Sequence, residues 1–303
     1  MHDPDFIGDY QLCDSLTSND NIYSDCEVFE AKNRKTNREV ILKISRDKKR
    51  GKRELEVHSA LSHEFIVNLL ESFTTKSLRN VLIFEKYPRN LQELYSDETL
   101  ESNRIQKFMK QLMMGIEYIH GMNFIHRDIK PDNLMLNEND CIKIGDFGLA
   151  RVYDPDIEMT QEAVSLWYRP IEILLDSQNH TKSVDIWSAG CVMAELYRRC
   201  PLFQGEGQLS MINKIISVLG KPTLEEWPTL NELPAMRNVE LNGPSITRFE
   251  DAIPNASKSS LDLIRNMIKY DPERRLSASQ VLKHEYFKND DISAKNNYEP
   301  EFP

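Results

Sequence analysis

The segment from Phe124 to Arg151 reads FIHRDIKPDNLMLNENDCIKIGDFGLAR and gathers Asp128, Lys130 and Asn133 within six residues. Asp146 follows thirteen residues after Asn133. An acid can accept a hydroxyl proton and orient its attack, and a lysine beside it can offset charge on a moving phosphate. An amide and a carboxylate, here Asn133 and Asp146, supply the hard oxygen donors that magnesium prefers. Together these are the parts of phosphoryl transfer. A surface turn rich in acids would not need all four residues in this order.

Further upstream, VILK places Lys43 at the end of a strand, where it can reach the α and β phosphates of a nucleotide. Glu54, in the helix that follows, is its natural ion-pair partner. The alternation of apolar and polar residues predicts strands over Tyr10–Leu16, Glu27–Lys32 and Glu39–Ile44, with KNRKTNRE as the turn between the last two. A helical pattern covers Lys49–Leu61, with Leu55 and Ala60 expected among its buried positions. Two more strands are expected over Val67–Phe73 and Asn80–Glu85, and Pro88 breaks the pattern as a hinge. Beyond it, Ile105, Phe108, Met109, Leu112, Ile116 and Ile119 recur at helical spacing over Ile105–His120. Further helices are expected over Ser183–Arg198, Leu209–Leu219 and Ser259–Ile268. The polar tail from Lys288 onward is expected to be loose.

The bulk composition excludes several classes. At 303 residues, with 40% hydrophobic and 28% charged residues, the chain suits a soluble protein of two lobes. A net charge of -10 argues against general nucleic-acid binding, which needs a basic surface. Cys13, Cys26, Cys141, Cys191 and Cys200 are odd in number and form no CxxC pair, so neither a disulfide framework nor a zinc site is expected. A reducing compartment fits this usage. The opening MHDPDFIGDY lacks a basic-then-apolar signal pattern, and no apolar run is long enough to span a bilayer.

The joined HRDIKPDN and DFG strings resemble those of the eukaryotic protein kinases, and the likeness runs from about Tyr10 to Phe287. The resemblance implies an α+β, bilobal kinase fold: a β-rich N-lobe over 10–86, a helical C-lobe over 87–287 and a flexible tail over 288–303. It implies a serine/threonine kinase that transfers the γ-phosphate of ATP, with Mg2+, to a protein substrate. Asp128 is then the catalytic base, with Lys130 and Asn133 beside it, and Asn133 and Asp146 hold metal. Val28, Ile41 and Met135 enclose the adenine, Glu85 and Tyr87 belong to the hinge, and Phe84 closes the rear of the pocket. Lys43 and Glu54 serve the phosphates. Arg53, Arg127 and Arg151 match arginines that converge on a phosphorylated activation-segment residue, here Thr160, whose dianion would order the loop. Glu158 or Glu162 filling that role without modification is the alternative. SLWYRPIEILL resembles the group that holds the cyclin-dependent and mitogen-activated kinases. Arg169 matches the arginine that shapes the pocket for a proline after the phosphoacceptor. Glu172 matches a buried glutamate that pairs with a late arginine, here Arg275, and Asp185 one that holds the catalytic loop's backbone. LGKPTLEEWPTLNELP resembles the insert of cyclin-dependent kinases.

Several positions depart from that pattern. Asn21, Tyr23 and Cys26 stand where three glycines would let backbone N–H groups approach phosphates. Losing two charge-assisted hydrogen bonds there would cost roughly 3 kcal/mol, about a hundredfold in rate. Such a loss slows an enzyme without abolishing it, so an active kinase is favoured over the alternative, a pseudokinase scaffold. Ile41 replaces the alanine usual above the adenine. His58 replaces a leucine that stacks on the DFG phenylalanine. Asp25 takes the place of an inhibitory tyrosine, with Ser24 beside it. Lys43 and Glu54 are only eleven residues apart, and the helix opens KKRGKRELEV rather than with a PSTAIRE-like face. A short connection and a degenerate glycine loop are similar to the cyclin-independent CDK-activating kinases of fungi and plants. The resemblance thus implies a protein substrate, another cyclin-dependent kinase among the candidates. It leaves the need for a cyclin open and gives no reason for nucleic-acid or membrane partners. The run Lys48-Lys49-Arg50-Gly51-Lys52-Arg53 reads as a nuclear-import patch or as a solvated helix start, and the expected location is nucleus and cytoplasm.

Overall fold

The computed structural model describes residues 6–17, 26–76, 78–154, 165–237, 239, 241 and 249–288. Its first part is an antiparallel sheet of six strands: β1 (Phe6–Ile7), β2 (Tyr10–Ser15), β3 (Cys26–Asn33), β4 (Glu39–Ser45), β5 (Leu69–Thr74) and β6 (Asn80–Glu85), in the order β1-β2-β3-β4-β6-β5. Period-2 alternation decides which side chains face the second lobe. On β4, Val40, Leu42 and Ile44 join Tyr10, Ala31, Val81 and Ile83 in a cluster on one face of the sheet. The residues between them, Ile41 and Lys43, therefore point to the other face. There Val28 pairs with Lys43, and Ile41 with Phe84, across neighbouring strands.

Helix α1 (Lys48–Ala60) crosses this sheet, capped by Asp47, whose carboxylate accepts from the N–H groups of Lys49 and Arg50. Its inward stripe is Gly51, Glu54, Val57 and His58. That stripe corrects the expectation for Leu55 and Ala60. Leu55 is only half-buried, against Val67, Leu82 and Phe84, and Ala60 is exposed. The periodicity alone favoured the apolar residues; the helix instead buries a charged one, because Lys43 waits beneath it. The fifth strand also starts two residues later than its sequence pattern, since Val67 donates its N–H to the Ile144 carbonyl of the second lobe.

The second part is helical: α2 (Leu91–Asp97), α3 (Ser102–Gly121), α4 (Ile171–Leu174), α5 (Ser183–Arg198), α6 (Gln208–Leu219), α7 (Phe249–Ala252), α8 (Lys258–Met267) and α9 (Ala278–Leu282). All six periodic apolar residues of α3 are buried. α5 is buried along its whole length from Val184 to Tyr197, so it needs partners for the two acids it carries, Asp185 and Glu195. Glu195 accepts from the hydroxyls of Tyr95 and Tyr168. Burial pushes its carboxyl up to about 7 against those hydrogen bonds. Short strands β7 (Arg89–Asn90), β8 (Phe124–Ile125), β9 (Leu134–Leu136), β10 (Ile142–Ile144) and β11 (Arg151–Val152) carry the loops between the lobes. Strands β10, β9 and β7 form one ladder, and because Leu134 pairs with Ile144 in antiparallel register, Asn133 and Asp146 emerge at the same end of it. The structure is thus the bilobal α+β arrangement expected from the sequence. No helix among the described residues is long and apolar enough to cross a membrane.

Candidate active site

A cleft of about 370 Å3 opens between the sheet and the helical lobe. All eight residues assigned to the nucleotide line it: Val28, Ile41, Lys43, Glu54, Phe84, Glu85, Tyr87 and Met135. Asn133 and Asp146 line it too. Leu16, Val67, Asn90 and Glu93, to which the sequence reading gave no part in the site, also line it, as does Pro88 of the expected hinge. One signal was available. Asn90 and Glu93 form a reciprocal capping box at the start of α2, a spacing that marks a helix directly after the hinge.

At the inner end, Lys43 Nζ lies 2.6 Å from Glu54 Oε1 and 2.6 Å from Asp146 Oδ1. Burial lowers the lysine's proton affinity, but Asp146 and Glu54 more than offset it, so its pKa stands well above the ordinary value. Asp146 is held well below the carboxylate range: burial opposes its ionisation and the Lys43 ammonium overrides that. Burial pushes Glu54 upward, with Lys43 opposing. Asp146 adopts a left-handed conformation (φ 56°), and its carboxylate also accepts from the Gly148 N–H.

Asn133, on the other wall, ends a loop that begins at His126. Asp185, at the start of α5, accepts from the backbone N–H groups of His126 (2.9 Å) and Arg127 (2.8 Å), and His120 Nε2 lies 2.8 Å from it. This grip holds Arg127 at φ 69°, a left-handed conformation that a non-glycine side chain rarely adopts. The loop then sets Asp128 beside Asn133, which lines the cleft. Asn133 Nδ2 donates to both the carbonyl and a carboxylate oxygen of Asp128, at 2.8 and 2.9 Å. Lys130 Nζ sits 3.1 Å from the same carboxylate and donates to Ser165 Oγ at 2.7 Å. Because Asn133 spends its amide N–H groups on Asp128, its amide oxygen is left for a cation. No cluster of three or more His, Cys, Asp and Glu able to hold a metal occurs among the described residues. A metal bound by Asn133 and Asp146 would draw its other ligands from phosphates and water, which suits magnesium.

The remaining assigned residues are spread around this centre. Arg127 is buried and Arg151 half-buried. Both act on His180, which burial and these arginines, with Arg169, hold down to about 4. The sequence reading did not anticipate His180. Arg53 lies half-buried on α1. Thr160, Glu158 and Glu162 fall outside the described residues, as do Asn21, Tyr23, Ser24 and Asp25. Arg169 is half-buried; burial lowers its pKa while Asp128 opposes this, so the two belong to one electrostatic neighbourhood. Arg275 grips Glu172 with both terminal nitrogens, at 2.7 and 2.5 Å.

Gly51 explains how α1 comes so close. An added Cβ there would lie 2.5 Å from Ser45 Cβ and 2.7 Å from Ser45 Oγ. Gly51→Ala is expected to lift the helix, part Lys43 from Glu54 and reduce the transfer rate by about tenfold or more, with about 1–3 kcal/mol lost from stability. Helix propensity alone would give the opposite sign, a gain of about 1 kcal/mol, so thermal melts beside initial rates decide the matter.

His58 fills the rear of the cleft. Its ring centroid lies 4.8 Å from that of Phe84 and 4.7 Å from that of Phe147. Burial, aided by Lys43, pushes its pKa down to about 3, and its Nε2 has no hydrogen-bond partner among the described residues. The unfolded chain takes up this proton near pH 6.5 and the folded chain resists it. Stability is therefore lost as pH falls from about 6.5 towards 3, by at most about 1.4 kcal/mol per pH unit from this group. Glu195 has the opposite sign over about 4.5 to 7, so the test is differential. His58→Leu is expected to gain about 1–2 kcal/mol at pH 7 by removing the orphaned nitrogen, and more at pH 5.5. Urea midpoints of the two proteins at both pH values check it.

Comparison with known proteins agrees with this geometry. A family model for the protein kinase domain matches residues 24–287. The chain is 39% identical over 239 residues to cyclin-dependent kinase 7 of Dictyostelium discoideum, covering 78% of this chain and 65% of that protein. It is 36% identical over 241 residues to cyclin-dependent kinase 2 of Caenorhabditis elegans, with the same two coverages. Against the serine/threonine-protein kinase ppk23 of Schizosaccharomyces pombe it is 35% identical over 256 residues, covering 83% of this chain and 64% of that protein. The chain thus spans just under two thirds of the length of these relatives. It belongs to the protein kinase family and is similar in sequence to cyclin-dependent kinases.

Proposed function

We propose that this chain is an active serine/threonine protein kinase that works without a cyclin and phosphorylates the activation segment of other cyclin-dependent kinases. ATP occupies the cleft, with magnesium on Asn133 and Asp146. Asp128 takes the hydroxyl proton, Lys130 offsets phosphate charge, and the substrate lies near Arg169. The observation that carries the reading is the Lys43–Glu54–Asp146 contact, present in the chain by itself. A kinase whose helix must be pushed inward by a partner needs that partner to make the pair. Here an eleven-residue connection, the Asp47 cap and Gly51 against Ser45 already seat α1. The exposed residues of α1 are Lys48, Lys49, Lys52, Glu56, Ser59 and Ala60, a polar and small face with little to offer an apolar partner. The same positions place the basic run Lys48–Arg53 within a folded helix.

The deciding experiment incubates the isolated chain and MgATP with a cyclin-dependent kinase whose activation-segment threonine is unmodified. Transfer to that threonine, absent from an Asp128→Asn control, supports the proposal. Strong stimulation by an added cyclin overturns the independence. No transfer to this or to a generic basic protein overturns the enzyme in favour of a scaffold.

A further inference from the structure

Glu195 is fully buried on α5 and has no part in the chemistry assigned above. Three elements meet at its carboxyl: Tyr95 from α2, Tyr168 from the segment just before Arg169, and Asp132 from the catalytic loop. The neighbouring cations are committed elsewhere. Arg198 gives Nη1 to the Ala252 carbonyl, and Arg199 gives its guanidinium to the Tyr95 and Ser96 carbonyls and the Thr99 hydroxyl. Cys191, one turn back on α5, keeps its proton and offers no countercharge, since burial and Glu195 push its thiol up. Burial and then Asp132 raise Glu195 itself to about 7, against the two tyrosines and Arg198. Hydrogen counting points the same way. The Tyr95 hydroxyl lies within hydrogen-bond reach of two oxygens, Glu195 Oε1 and Gln92 Oε1. It has one proton and can serve only one of them. If Glu195 is ionised it takes both tyrosine protons, and Gln92 Oε1 faces the Tyr95 oxygen with no hydrogen between them. If Glu195 is protonated it donates to Tyr95, Tyr95 donates to Gln92, and Tyr168 still donates to the other carboxyl oxygen at 2.8 Å. Only the protonated form satisfies every contact, and it ends on Gln92, which is half-buried.

We propose that Glu195 holds a proton in the folded chain and exchanges it with water through Tyr95 and Gln92, and that this proton sets how firmly Tyr168 positions Arg169 for a protein substrate. On release to water, the Gln92 amide turns so that its N–H donates to the Tyr95 oxygen, whose own proton then points at Glu195. Release also turns the bond from Tyr168 into a charge-assisted one, roughly twice as strong. The Tyr168 carbonyl already accepts from Ser188 Oγ at 2.9 Å, so both ends of the residue are then held. Glu195 is thus a positioning residue that acts through Tyr168. The substrate half rests on Arg169 meeting the substrate, as proposed above.

The test uses the full chain and Glu195→Gln, whose amide N–H donates to Tyr95 as the protonated acid does but does not titrate. Infrared difference spectra across the neutral range should show a protonated carboxyl that disappears near pH 7 and is absent from the variant. Over the same range kcat/KM for a protein substrate should rise about fivefold in the parent relative to the variant, while the KM for ATP does not follow the step. Tyr95→Phe removes a donor that favours the ionised form, so its midpoint should move upward. No protonated carboxyl assignable to Glu195, or a midpoint that Tyr95→Phe leaves in place, overturns the relay. A Glu195 that titrates while the substrate ratio stays flat overturns its hold on Arg169. A parent chain that transfers no phosphate overturns the kinase reading and the substrate half with it, while the infrared titration decides the proton by itself.

Discussion

Replacing Asp128 by Asn lowers the transfer rate by about 10²–10⁴-fold, the usual worth of a positioned general base, while leaving nucleotide affinity close to its original value. The geometry supports both halves of this expectation. Asp128 is nearly buried, and two side chains, Asn133 and Lys130, aim at its carboxylate. An amide keeps one oxygen for that contact and the shape of the side chain, so the loop stays seated by Asp185. What the amide cannot do is take a proton. Binding of ATP depends on Lys43, Asp146 and the adenine walls, none of which touches this change. Steady-state rates with a protein substrate, ATP titrations and a melting curve on the same preparation check the prediction. An unchanged rate would remove Asp128 from the chemistry.

The second large effect concerns stability. Arg275→Ala is expected to cost about 3–5 kcal/mol, because it strands the Glu172 carboxylate in the interior. The Glu172 side chain is 3% exposed and that of Arg275 fully buried, so water cannot replace the lost partner. Arg275 also donates to the Lys269, Ser183 and Tyr270 carbonyls, and its guanidinium lies 4.8 Å from the Trp187 ring centre. One side chain therefore ties the segment after α8 to the start of α5 and to α4. The melting temperature should fall by several degrees or more. Glu172→Gln combined with Arg275→Met should recover part of the loss, since a neutral pair leaves no buried charge uncompensated. A double variant as unstable as Arg275→Ala would show that the loss came from packing and not from the stranded carboxylate.

These two residues show how unevenly the site could be read from the chain. Asp128 stands in a contiguous string, and its neighbours in sequence are its neighbours in space. The catalytic loop and the α3 and α5 helices are likewise written locally, in motif and periodicity. Glu172 and Arg275 lie 103 residues apart and meet only through the family pattern or the fold. Leu55 and Ala60 went astray for a related reason. Local hydrophobicity chose the apolar residues, whereas the helix turned Glu54 and His58 inward to meet Lys43, Phe84 and Phe147. His180 could not be singled out, because nothing in the sequence brings it against Arg127 and Arg151.

The sequence by itself determined which chemical groups are available and in what local order. It also determined the strand alternation that sends Ile41 and Lys43 to one face and Val40, Leu42 and Ile44 to the other. Only the tertiary structure decided that Lys43, Glu54 and Asp146 are joined in the chain alone, that His58 is held neutral, and that Cys26 shares a cavity with them. The reason is physical. Alternation and helical spacing act between near neighbours along the backbone. Ion pairing, desolvation and cavity shape depend on which distant segments the packed core brings within a few ångströms.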